Sequence, residues 1–242
     1  MNGSSGGEKP AILLHHLPTR EQNIFYTLFL IVSPLSNLIV NALTFEDFRL
    51  ISLQGSHRFS FLHGFFELSG VMLGVVLFLL GVNLVLALMR HQRRIRHSLL
   101  LFGIFSSLYL FLNLISITYG IFVFKIQSLF LLGISSGIYI SINTVFLFWY
   151  WYVDYPTQVR HLHHPESSLQ IAFPFNSGDR NGNWVPSFID YLYLTIMTSN
   201  TLGPPENHQA LGNKAKIIQL LHSVIMLILL VIFVSRAINT LA

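Results

Sequence analysis

Charge-free stretches divide this chain. From Ile24 to Phe45, 22 residues carry no charge, interrupted by Ser33, Pro34, Asn37 and Asn41. Gly64 to Met89 holds only Glu67, near its start. The 56 residues from Ser98 to Val153 hold only Lys125, which predicts two helices with a tight turn near that lysine. Ile217 to Ser235 are 19 uncharged residues, about 28 Å of helix against a hydrocarbon core of about 30 Å. These runs are continuously apolar and lack the in/out alternation of membrane strands. Pro186 to Glu206 is apolar too, but it is cut short by Gly203-Pro204-Pro205. The pattern therefore predicts an all-α, polytopic helical membrane protein with five spanning helices plus a re-entrant (or short sixth) helix.

The polar remainder sets the boundaries. Residues 1–22 read as a polar N-terminal tail, 23–153 as a four-helix membrane region, 154–185 as a polar loop, and 186–242 as the short segment with the last helix. Trp149, Tyr150, Trp151, Tyr152 and Tyr155 mark where the fourth helix leaves the bilayer. Gly70-x-x-x-Gly74 and Gly133-x-x-x-Gly137 let backbones approach closely. The plain reading is packing within one chain, with contact between copies as the alternative.

Composition fits this division. Of 242 residues 52% are hydrophobic and 10% charged, where a soluble domain has roughly 25% charged residues. The net charge of +4 would suit nucleic acid if it were spread over a face. Instead Arg90, Arg93, Arg94 and Arg96 crowd between two apolar runs, which reads as a cytoplasmic loop of a plasma (inner) membrane protein, with lipid and not nucleic acid as the partner. With no cysteine, a thiol nucleophile and a thiolate metal site are excluded. His161, His163 and His164 have no fourth ligand at a fixed spacing, so they read as a solvated loop with no metal.

Ionisable groups inside membranes are functional by default, which singles out Glu67, Asp190, His222 and Arg236. Glu67 and Asp190 sit near helix starts, where a negative charge suits the dipole, and Arg236 can snorkel from a helix end. His222 shares a face with Gln219 and Ser223 and is the hardest to dismiss. His-Glu-x-x-His, Gly-x-Ser-x-Gly and phosphate-binding glycine loops are all missing from the sequence. Neither catalytic residues nor a cofactor are expected.

In Pro186–Glu206, Thr195, Thr198 and Ser199 lie at i, i+3 and i+4, on one face of a helix. A half-helix, a breaker and a last long helix form the layout of a pore loop. Leu192 to Glu206 resembles the pore segment of the tetrameric potassium-channel superfamily, which runs Leu-Tyr-aromatic-Ser/Thr, two apolar residues, then Thr-x-Thr-Thr-Val-Gly-Tyr-Gly-Asp. Leu192, Tyr193, Thr195, Thr198, Thr201 and Gly203 fall in register, with Leu202 in place of the valine and Glu206 in place of the aspartate. The following helix is similar to that family's inner helix, and the C-terminal half also resembles uncharacterised bacterial integral membrane proteins. The resemblance implies a homo-oligomer of four copies, monovalent cations as the solute, Thr195, Thr198, Thr201 and Gly203 toward the axis, and Glu206 as a carboxylate ring at the mouth. Two departures imply altered selectivity. Asn200 stands where the filter pair begins, and Pro204-Pro205 replaces Tyr-Gly, so the ladder of carbonyls cannot continue past Gly203 in the same form. If the arginine loop is cytoplasmic, helix counting puts 154–185 there as well. The short segment then dips in from the inside, or else it crosses as a sixth helix. The competing function is a non-conducting membrane scaffold that binds a partner and uses these polar residues to pack helices.

Overall fold

The computed structural model describes residues 58–89, 92–123, 128–174 and 184–241, together with Val32 and Leu35. Among these are five helices: α1 (Arg58–Leu88), α2 (Gln92–Val123), α3 (Ser128–His163), α4 (Phe188–Thr201) and α5 (Asn213–Leu241). Two two-residue strands, β1 (Ile171–Ala172) and β2 (Gln209–Ala210), pair antiparallel, Ile171 against Ala210 and Ala172 against Gln209. Four of the helices, α1, α2, α3 and α5, are long and apolar enough to cross a membrane. The expected first span, Ile24–Phe45, and the turn near Lys125 lie outside the described residues, apart from Val32 and Leu35.

α1 and α2 form an antiparallel hairpin, in which the buried Ser69 hydroxyl donates to Asn113 Oδ1 at 2.9 Å. α2 then runs antiparallel to α3. Trp149 Nε1 donates to Ser107 Oγ at 2.9 Å, and Gly103 lies so close to the Phe148 ring that any Cβ there would overlap it. Gly212 likewise packs against the side-chain amide of Gln170. The glycine spacing in α1 works differently from its expected role within the chain: Gly70 and Gly74 are exposed, with nothing within 4 Å of a Cβ. In α3, Gly133 is half-buried and Gly137 buried.

α3 is the central element. It continues ten residues past the boundary drawn at Val153, through Pro156, to His163. Proline inside a helix removes one backbone donor, and the polar residues around it suggest an exit. The helix persists because Asp154, Thr157 and Gln158 find partners in the chain that folds back over them. The 154–185 segment is thus helix at its start and carries β1 further on.

α4 runs antiparallel to α3, with Tyr191 beside Asp154, Ser199 beside Asn143 and Asn200 beside Tyr139. It ends at Thr201, where Leu202 takes a left-handed conformation (φ 55°), just before Gly203-Pro204-Pro205. Fourteen residues make about 21 Å of helix. The seven residues 202–208 then lead back beside the start of α4. The His208 ring lies 5.8 Å from that of Tyr193 and 5.3 Å from that of Phe173, and Phe173 is 5.4 Å from Tyr191. A seven-residue extended chain reaches about 23 Å, enough to retrace α4. β2 and the start of α5 therefore sit at the same end of the molecule as the start of α4.

Candidate functional site

Two buried polar clusters hold α4, one at each end. At its start, Ser187 donates both its backbone N–H and its hydroxyl to Asp190 Oδ2, each at 2.7 Å. One residue on, the Tyr191 hydroxyl donates to Asp154 Oδ2 at 2.8 Å. Asp154 is fully buried and also accepts from Gln158 Nε2 at 3.0 Å, from the Ile171 backbone N–H at 2.8 Å and from Thr157 Oγ1 at 3.3 Å. All four donors are neutral. They come from α3, from β1 and from α4, so one carboxylate ties three segments together. Burial, with the Asp154 carboxylate next in weight, holds the Tyr191 phenol well above its ordinary value, which keeps it a donor.

The second cluster lies near the other end of α4. Ser199 Oγ is 2.6 Å from Asn143 Oδ1, 3.1 Å from the Thr195 carbonyl and 2.9 Å from His222 Nε2. Asn143 Nδ2 donates to the Tyr139 carbonyl at 2.8 Å, which fixes its Oδ1 toward Ser199. The serine proton goes to an oxygen, so His222 Nε2 must carry the hydrogen that bridges to Ser199. Nδ1 then accepts from the Tyr150 hydroxyl at 3.3 Å, and the Phe146 ring stacks on the imidazole at 4.2 Å. The network thus runs in one direction, from Tyr150 through His222 and Ser199 to Asn143. The His222–Ser199 contact ties α4 to α5.

The residues singled out from sequence divide between these clusters and the exposed return. Thr195 is fully buried and donates to the Tyr191 carbonyl at 2.7 Å; Thr198 is fully buried, its hydroxyl beside that of Tyr150. Asn200 is exposed and accepts from the Tyr139 hydroxyl at 2.9 Å. Thr201, also exposed, has carbonyl acceptors at Met197 (2.7 Å) and Gly203 (2.9 Å) for its single hydroxyl proton. Leu202 and Glu206 are exposed, and Gly203 is half-buried. Asp190 and His222 belong to the two ends of α4, whereas Glu67 stands exposed on α1. Arg236 lies fourteen residues past His222, about 21 Å along α5. Neither Glu67 nor Arg236 joins the α4 clusters. Among the described residues, no three His, Cys, Asp or Glu side chains gather to hold a metal ion.

Sequence reasoning passed over Asp154 and Tyr191. The signal that marks them is periodic: Tyr139, Asn143, Tyr150, Asp154 and Gln158 recur at helical spacing on one face of α3, and Tyr191, Thr195, Thr198 and Ser199 do so on α4. No protein-family model, curated protein or solved structure matches this chain.

Proposed function

We propose that this chain is one subunit of a membrane pore. In this reading α4 and the return 202–208 form a re-entrant loop, and monovalent cations pass along the returns gathered from several copies of the chain. The pairing of β1 with β2 carries the reading, because it brings the chain before α4 and the chain after the return to one end of the molecule. Irregular backbone at membrane depth is tolerated only inside protein or along a watery cavity. The end of α4 exposes Asn200 and Thr201, and the return exposes Pro204, Glu206 and Asn207, so this loop needs either a neighbouring copy or water. A ring of copies around an axis supplies both, and the resemblance to potassium channels favours four. Glu206 then concentrates cations at the mouth. The double proline supports a selectivity other than that of a potassium filter.

The loop enters from the cytoplasmic face. Arg93, Arg94 and Arg96 begin α2, Arg160 ends α3, and Lys214 and Lys216 begin α5, all at the ribbon end. The far ends of the described helices carry Arg58 and Arg236. Positive charge accumulates on the cytoplasmic side.

A second reading, a non-conducting membrane protein, draws on one observation: α4 is bound at both ends by its own chain, so its buried hydroxyls have a packing role. Single cysteines at Ser187 and Asn207, in a chain without native cysteine, separate the readings. Labelling of both from one side of the membrane, cation flux in liposomes and a lower cation preference in Glu206→Gln are expected of the pore. Labelling from opposite sides overturns the re-entrant loop. Labelling from one side without flux leaves the non-conducting protein.

A further inference from the structure

The ribbon end carries exposed cations that no carboxylate pairs among the described residues. The start of α2 is held to α3 by Tyr152, whose hydroxyl lies 3.5 Å from the Arg96 carbonyl and whose ring centre lies 5.7 Å from the Arg96 guanidinium. The start of α5 is held to the same end of α3 through Gln170. Its carbonyl accepts from the N–H groups of Leu211 and Gly212 at 2.8 and 3.0 Å, and its own N–H donates to Thr157 Oγ1 at 3.3 Å. Arg94, Arg96, Arg160, Lys214 and Lys216 are thereby collected at one end, all exposed.

The acids at this end are mostly taken. Asp154 is saturated by neutral donors, Asp190 is bound to Ser187, and Glu166 lies 3.5 Å from His164 Nδ1. Glu206 alone stands exposed on the return. None of the five cations makes an ion pair among the described residues. Four of them, moreover, sit where a cation weakens its own helix: Arg94 and Arg96 in the first two turns of α2, Lys214 and Lys216 in the first turn of α5, with no acid in either first turn. Helix stability does not account for them. Their depth points to a partner. All five stand in the end turns of helices long and apolar enough to cross a membrane, the level at which a spanning helix meets the phosphate groups.

We infer that this end of the bundle binds the headgroups of anionic phospholipids, with Arg94, Arg96, Arg160, Lys214 and Lys216 as a collar around their phosphates. The binding rests on the membrane location of the four long helices and not on conduction, so a chain that passes no ions still shows it.

The test is native mass spectrometry of the full chain in mild detergent, offered phosphatidylglycerol and phosphatidylcholine with identical acyl chains. Preferential retention of phosphatidylglycerol is expected, falling about fivefold for each cation replaced by glutamine. Equal retention of the two lipids, or an unchanged preference after all five replacements, overturns the inference. So does loss of phosphatidylglycerol to millimolar inorganic phosphate, which would mark a site for free phosphate instead. Should the fivefold variant not fold, the single variants Arg94→Gln and Lys214→Gln serve. Each removes a cation from a helix N-terminus, so in lipid-free neutral detergent its melting temperature should rise while its lipid preference falls. A melting temperature that drops shows the cation stabilising the fold, and overturns the inference.

Discussion

The α3–α4 interface and the outer faces of α1 and α5 obey opposite rules. In the most apolar part of α3, 67% of residues are buried, whereas in those of α1 and α5 the figure is 17%. The well-buried region holds a polar set within its apolar core: Asp154, Gln158, Tyr191, Thr195, Thr198, Ser199, Asn143 and His222. The poorly buried faces expose Val71, Phe78, Leu220, Leu227, Val231 and Ile238. A protein built for water does the reverse. The difference teaches that buried polar groups add direction to an apolar core. Hydrogen bonds and close backbone contact position α4, while the outer faces have only to match the lipid.

Breaking the inner region should therefore cost far more than altering the outer one. Asp154→Ala leaves the Tyr191 hydroxyl and the Ile171 N–H buried without an acceptor, and the Gln158 amide with the Ile171 carbonyl alone. At about 1–3 kcal/mol for each stranded group, we expect loss of the folded peak in fluorescence-detected size exclusion. Gly103→Ala forces the Phe148 ring out of its place, for about 1–3 kcal/mol, read as a lower melting temperature in detergent. Tyr191→Phe removes one hydrogen bond to a charged acceptor, about 1.5–3 kcal/mol, and should also change the alkaline limb of the stability profile. The phenol is held above its ordinary 10.0 in the fold, so the native state keeps a proton that the unfolded chain gives up. That stabilisation is complete below about pH 10 and drains away as pH rises beyond it. The melting temperature should fall above pH 10 in the parent and more shallowly in Tyr191→Phe. Ser199→Ala is expected to cost about 1–2 kcal/mol, and a double-mutant cycle with His222→Phe should return a coupling of about 1 kcal/mol. At the small end, Leu230→Ala on the outer face should stay within about 0.5 kcal/mol. A larger loss there would mean that something other than lipid covers α5.

The same contrast decides what was legible in the sequence. Long apolar helices declare themselves through missing charge, and the described spans follow those runs. The breaker Gly203-Pro204-Pro205 announced the end of α4, which stops at Thr201. The far end of α3 was hidden, because Pro156 and its polar neighbours look like a loop until Ile171 and Tyr191 are folded against them. Distant partners leave no local mark. Gly70 and Gly74 show the opposite failure: their spacing permits close packing but cannot supply the partner. In the candidate site, Thr195, Thr198 and His222 stood out by residue type. Asp154 and Tyr191, which fasten the start of α4, lie on matched polar stripes of two separate helices, a correlation visible only once both are known to face each other.

The ribbon also sets an order of events in folding. Its two residue pairs close a loop of roughly 40 residues, and such closure costs on the order of 3 kcal/mol in chain entropy. A ladder two residues long is a weak return on that cost. Once α4 has docked on α3, however, Asp154 already holds the Ile171 amide, and only the short return is left to close. The ribbon should then be the last part to form and the first to open, with the amides of β2 exchanging with solvent ahead of the amide at Ile171. Assembly of this end of the molecule is thus sequential, with docking of α4 as the step that makes the closure possible.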